Sequence, residues 1–191
     1  MPVNDVAQLE EFGQQIADSV EAFLRNLQEI SKLDQPGTAV PLLLLDVSQL
    51  MLTGARLGAQ IDFETDEPYQ PDVGPDPDLD AMRLRLANVL GEADTYRHNF
   101  EPYDPSTIPA LLSDDLTSIA ADIANGLQHF RAGHVAEALW WWQFSYLANW
   151  GTVGCGVLSA LHSVVAHDRL DAEILDETEQ LEAAAALDSE R

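Results

Sequence analysis

Apolar residues recur at three- and four-residue steps along most of the chain, and no strand-like alternation persists. Val6, Leu9, Phe12, Ile16, Val20, Phe23, Leu27 and Ile30 form one stripe, which predicts a helix over about 5–33. Asn4 or Asp5 is placed to cap it, and Pro36-Gly37 to end it. A second helix is predicted from Pro41 to about residue 60. Leu42, Leu43, Leu44 and Leu45 cover all sides of its first turn, so this end is expected to be buried on several sides. A third helix is predicted over 78–90, with Leu79, Met82, Leu86 and Val89 inward and Gly91 as terminator. A fourth, over 113–131, carries Leu116, Ile119, Ile123, Leu127 and Phe130, with Ser113 as its expected N-cap. The last is predicted over 134–167, kinked near Gly151, Gly154 and Gly156.

Two long connections interrupt this pattern. Residues 61–77 hold Pro68, Pro71, Pro75 and Pro77, and residues 92–112 hold Pro102, Pro105 and Pro109 among Tyr96, Phe100 and Tyr103. Both read as proline-rich straps, because proline denies helical bonding and segments this long are usually packed down or functional. Beyond Asp168 the chain turns acidic and alanine-rich. The expected architecture is therefore all-α, an irregular bundle of about five main helices with two straps. It forms one domain over 1–170, followed by an acidic tail over 171–191 that is frayed helix or disordered.

Two stretches within the pattern carry a resemblance. Pro41-Leu42-Leu43-Leu44-Leu45-Asp46-Val47-Ser48-Gln49, continuing through Gly54-Ala55-Arg56-Leu57-Gly58-Ala59-Gln60, is one. Ala138-Leu139-Trp140-Trp141-Trp142-Gln143-Phe144-Ser145-Tyr146-Leu147-Ala148-Asn149-Trp150-Gly151 is the other. With Ser113-Asp114-Asp115-Leu116 they resemble an uncharacterised bacterial family, a domain of unknown function, over roughly residues 10–170. The resemblance implies a compact helical domain, no established activity and no catalytic residues to carry over. It also implies a genomic association with recombinational DNA repair.

Charge narrows the function classes. Nine Lys and Arg stand against 33 Asp and Glu in 191 residues, a net charge of −24 at pH 7. Nucleic-acid binding needs cations that displace counterions from phosphates, so direct contact with nucleic acid is excluded, and an anionic membrane is disfavoured. A basic protein partner fits this balance, as does a surface adapted to high salt. Between Asp62 and Asp80 there are eight acids and no base. Asp62, Glu64, Asp66, Glu67, Asp72 and Asp76 are the expected interaction surface. Residues 138–161 lack charge and are long enough to span a bilayer, yet their acidic flanks and interior Gln143 and Asn149 favour a buried central helix. The N-terminus has no basic and apolar leader pattern, so the cytoplasm is the expected compartment.

Candidate chemistry is sparse. Cys155, the single cysteine, sits between glycines in an apolar run and is expected to be a buried, inert thiol. The Glu-x-x-His pairs of di-iron bundles are absent and no metal or cofactor is assigned. No nucleophile or phosphate-loop motif is present. What remains is a polar stripe, Asp46, Gln49, Thr53, Arg56 and Gln60, within about 80° of one helix face. Asp46 and Arg56 are about 15 Å apart along the helix, so each needs a partner from elsewhere: His162 or a Trp N–H for Asp46, Asp115 or Glu137 for Arg56. The aromatics of the second motif lie on every side of their helix, which is expected to be surrounded.

The leading expectation is a non-enzymatic interaction or regulatory module binding a basic protein. The alternative is a small-molecule binding protein or enzyme, its pocket lined by Asp46, Gln49, Arg56, Trp142, Tyr146 and Asn149 and closed by the 92–112 strap. A homo-oligomer anchored by exposed tryptophans is the third reading.

Overall fold

The computed structural model describes residues 6–65, 73–75, 77–99 and 103–189, with side chains placed as far as Asp171. The architecture is predominantly all-α. Helix α1 (Val6–Ile30) leads through a short turn into α2 (Pro36–Gly58), and α3 (Asp80–Leu90) follows the first strap. A 3-10 turn (Gly91–Asp94) and a hairpin of β1 (Thr95–His98) and β2 (Ile108–Leu111) lead into α4 (Leu112–Arg131). Helix α5 (Val135–Ser145), one π-helical turn (Tyr146–Trp150) and α6 (Gly151–Ser189) complete the chain.

The core is formed where the predicted stripes meet. Ile16, Val20, Phe23 and Leu27 of α1, Leu43, Val47, Leu50 and Leu57 of α2, and Leu116, Ile119 and Ile123 of α4 are buried together with Trp142 and Trp150. α2 packs on α1 and α6, and α4 packs on α5 and α3. α2 is long and apolar enough to cross a membrane, with a mean hydropathy of 1.4 over its most apolar window. The segment 138–161 is instead built into the core through Ala138, Leu139, Trp142, Trp150, Val153, Val157 and Leu161.

Glycines set how closely these helices approach. A Cβ at Gly126 would fall on the Trp142 indole, and one at Gly54 on the rings of Tyr146 and Trp150. The Trp142 N–H donates to the Ile123 carbonyl at 2.8 Å. A Gly126→Ala substitution is therefore expected to destabilise the protein by about 1–3 kcal/mol, as overpacking of a filled core does. Helix propensity alone would favour alanine. Urea unfolding separates the two effects by sign.

Several local expectations are corrected. Pro36 does not end the first helix; it opens α2, where its fixed φ suits the first turn, and Pro41 lies inside that helix. The first helix stops at Ile30, and residues 31–33 close it with the tighter bonds from Lys32 to Glu29 and from Leu33 to Ile30. The second strap is a hairpin, with Thr95 opposite Leu111 and His98 opposite Ile108. Ser113 is not an N-cap: α4 begins at Leu112, and both the Ser113 N–H and its hydroxyl donate to Asp94, at 2.7 and 2.9 Å. Asp94 thus serves the positive end of α4 from the preceding turn. Asp94→Ala would leave that buried N–H without its acceptor, and the expected loss is about 1–3 kcal/mol, read by chemical denaturation.

The irregularity of the last helix lies just before the glycines. The π-helical turn ends at Trp150, and Gly151 follows where a Cβ would meet the Tyr146 carbonyl oxygen. Ser145 stitches this turn, donating to the Trp141 carbonyl at 2.7 Å and accepting the Trp150 N–H at 3.1 Å.

Candidate functional site

α1 and α2 run antiparallel, and their registry decides what the polar stripe does. Asn26 of α1 donates to Asp46 Oδ1 at 2.8 Å. Eleven residues earlier on α1, Gln15 Oε1 accepts from Arg56 at 2.5 Å, and the Arg56 guanidinium lies 5.3 Å from the centre of the Phe12 ring. Both stripe residues thus take partners from α1. His162 and the Trp N–H groups do not serve Asp46, nor Asp115 or Glu137 Arg56; the N–H groups of Trp141, Trp142 and Trp150 donate to the Asp122 carbonyl, the Ile123 carbonyl and the Ser145 hydroxyl. Thr53 donates back to the Gln49 carbonyl at 3.1 Å.

The outer side of this seam is grooved. One hollow of about 400 Å³ is lined by Asp18, Ser19, Asp46, Gln49, Thr53 and Arg56 with Leu52 among them. A second, of about 340 Å³, is lined by Asn26, Glu29, Leu42, Leu45, Asp46 and Gln49. Asp46 and Gln49 border both, so the two hollows form one track along the helix pair. Asp46 is only 5% exposed, and its Oδ2 has no hydrogen-bond partner among the described residues. Burial pushes its carboxyl up from 3.8 to about 6, against a lowering by the Asn26 hydrogen bond.

The leucine run at the start of α2 is only half buried, contrary to expectation. Leu43 is in the core, while Leu42 and Leu45 are 43% and 57% exposed and Leu52 is 66% exposed. Residues 42, 45, 49 and 52 follow helical spacing, so a stripe on the outer face was present in the sequence. It was masked by the apolar residues on the inner face. Asn26 and Asp18 carried no signal of their own, because their role depends on the α1–α2 registry.

The remaining pocket candidates lie elsewhere. Trp142 is fully buried, and Tyr146 sits against Gly54 and Gly58 with its ring 4.7 Å from that of Trp150. Asn149 is exposed and donates to Asp122 at 2.7 Å. These three build the core and its edge and do not line the groove with Asp46, Gln49 and Arg56. Gln143, buried beside them, fastens the end of α2: it donates to the Leu57 carbonyl and accepts the Phe63 N–H, both at 3.0 Å. The aromatic motif is also less enclosed than expected, since Trp140 and Phe144 stack on its outer side with centroids 5.1 Å apart and Phe144 is exposed.

Of the acidic-surface residues, Asp62 and Glu64 are exposed beside the buried Phe63. Asp66, Glu67, Asp72 and Asp76 lie outside the described residues. A cavity of about 650 Å³ does lie under the second strap, between the hairpin and α6, but its walls are Tyr96, Arg97, His98, Thr107, Cys155 and Ser159 with their neighbours. Cys155 is exposed there rather than buried, on the wall of the cavity that α6 contributes. Tyr96 donates to Asp115 at 2.7 Å, and burial together with that carboxylate pushes the phenol up. Among the described residues no three His, Cys, Asp or Glu side chains converge as metal ligands.

Fold and site together define a helical domain with a surface groove along the α1–α2 seam, bordered by a buried carboxylate. The chain belongs to the family described as a domain of unknown function, DUF5063, whose model matches residues 7–167. Its fold is similar to that in the crystal structure of protein BF1032 from Bacteroides fragilis, with 22% identity and a TM-score of 0.64 over 78% of this chain and 89% of that one. Likeness at that identity speaks for the fold alone. Among curated proteins no match to the chain was found.

Proposed function

We propose that this chain is a non-catalytic interaction module of the cytoplasm that binds a basic protein partner through its acidic surface. The observation that carries the reading is the charge balance: 33 acids against nine bases leaves at least 24 carboxylates with no cation of the chain to neutralise them. Several of the cations are moreover engaged within the chain. Lys32 pairs with Glu29, Arg83 with Asp114, and Arg131 with Glu21, while Arg56 and Arg97 are bonded to Gln15 and Thr107. A field of one sign steers a partner of the opposite sign and favours its orientation on approach. The implied association with DNA repair fits a partner that itself handles nucleic acid and carries a basic surface for that purpose.

The test compares two baits in the native host: the chain, and a variant with Asp62, Glu64, Asp66, Glu67, Asp72 and Asp76 changed to Asn or Gln. The native chain is expected to enrich a basic protein that the neutralised variant loses. Equal recovery by both baits would overturn the role given to the 62–76 acids.

A second reading is favoured by one observation, the gathering of Asp46, Gln49 and Arg56 on a groove of small-molecule size. Its ligand would be a small cation. No tryptophan lines the groove, so thermal shift, and not Trp fluorescence, is the measurement that would detect it.

A further inference from the structure

The groove does more than offer charge. Asp46 lies at the middle of the seam and borders both hollows, almost wholly buried, with Oδ1 occupied by Asn26 and Oδ2 buried without a hydrogen-bond partner among the described residues. A buried carboxylate oxygen left in this state calls for a donor from outside, and a charged donor satisfies it best. On either side of Asp46 the α2 face presents leucines to solvent, Leu42 and Leu45 toward one end and Leu52 toward the other. The track from Leu42 to Arg56 is about 21 Å long at 1.5 Å per residue, which matches a helix of about 14 residues. A groove between two helices receives the ridge of a third, and helix-in-groove recognition reads apolar anchors at three- and four-residue steps.

Charge identifies the occupant. Asp18 and Glu29 stand at the two ends of the track. The cation on its lining, Arg56, is held by Gln15 and the Phe12 ring. A second copy of a chain with net charge −24 would bring like charge to this seam. A basic amphipathic segment brings the complement.

We propose that the α1–α2 seam is the docking groove for an amphipathic helix of the basic partner, with Asp46 receiving one arginine or lysine side chain and Leu42, Leu45 and Leu52 receiving its apolar face. The inference rests on the interaction reading above and assigns it a place and a recognition element.

The test uses the full chain, isotopically labelled, and a synthetic helical peptide of about 14 residues with leucines on one face, a single arginine at the centre of that face and lysines elsewhere. Backbone NMR shifts are expected along the seam, at Asn26, Leu42, Leu45, Asp46, Gln49 and Leu52. Asp46→Asn is expected to weaken the peptide at least about tenfold, because it removes one partner of a desolvated charge pair. Leu52→Glu, at an exposed position that cannot cost the fold much, is expected to weaken it by a similar factor. The arginine-to-glutamine peptide should lose what Asp46→Asn loses, and should be indifferent to that substitution.

No shift along the seam, or an affinity unchanged within about twofold in both variants, overturns the proposal. Butylguanidinium binding as tightly as the peptide, with Leu52→Glu silent, makes the seam a small-molecule site and overturns it as well. Self-association through the seam in sedimentation does the same. The two readings fail separately. A basic partner captured equally by the native chain and by the Asp46→Asn and Leu52→Glu variants removes the groove and leaves the interaction module. Seam binding of the peptide with no basic partner captured removes the module's stated partner instead.

Discussion

Trp142→Ala is expected to lower the free energy of unfolding by about 3–5 kcal/mol, the range for truncating a large buried aromatic. The indole is fully buried on α5, faces the glycine gap at Gly126, lies 6.2 Å from the Phe130 ring and donates its N–H to the Ile123 carbonyl. Alanine would remove the apolar contact, open a cavity between α4 and α5 and leave the indole's place against Gly126 empty. Against a total stability of about 5–15 kcal/mol for a domain, that is a large fraction. Urea unfolding followed by far-UV circular dichroism at fixed salt reads it. A loss below about 1 kcal/mol would mean that α5 is not held through this contact.

The second large effect has the opposite sign and depends on pH. Asp46 has its carboxyl raised from 3.8 to about 6 in the folded protein, by burial first and against its hydrogen bond from Asn26. The folded state therefore binds the Asp46 proton more tightly than the unfolded chain does. Its ionisation works against folding above about pH 6, and the penalty disappears as pH falls from about 6 to the unfolded value of 3.8. At about 1.4 kcal/mol per pH unit the penalty at neutral pH is up to about 3 kcal/mol. Asp46→Asn keeps the shape and the acceptor for Asn26 while removing the charge. It is expected to stabilise the protein by about 1–2 kcal/mol at pH 7, since the new amide offsets part of the gain with its own unfilled donor. The difference between the two proteins should close near pH 4. Thermal melts of both across that interval check the sign and the window. A variant less stable than the native chain at pH 7 would show that the carboxylate is satisfied in a way the groove geometry does not provide.

A carboxylate that weakens the fold at neutral pH, on a groove flanked by exposed leucines, is understandable if another molecule supplies its counter-charge. Stability would then be recovered on binding, as it is for any ligand that prefers the native state.

Much of this architecture was legible because α1 and α4 each carry a single apolar stripe whose period admits one answer. The hairpin was not, because each strand is four residues long and Pro109 falls within the second, so alternation has no length in which to show. Proline stops one helix and opens the next with the same φ, so Pro36 by itself fits either role. The role of Ser113 was hidden because its partner, Asp94, lies 19 residues away across the hairpin. For the site, the polar stripe on α2 was visible from spacing, but its partners on α1 follow from an antiparallel registry that no local pattern encodes. Large aromatics such as Trp142 and Tyr146 suit both cores and pockets, and only their packing in the fold separates the two.

The central claim, that this chain binds a basic protein through electrostatic complementarity, is tested most directly by affinity capture of the tagged chain from its native host across a salt series. Each enriched protein is then purified and its binding to the chain remeasured at the same salts. The account predicts one basic protein enriched at low salt and lost at moderate salt, with the purified pair reproducing that loss. A partner that is acidic, one whose affinity is insensitive to salt, or no specific partner at any salt would contradict it.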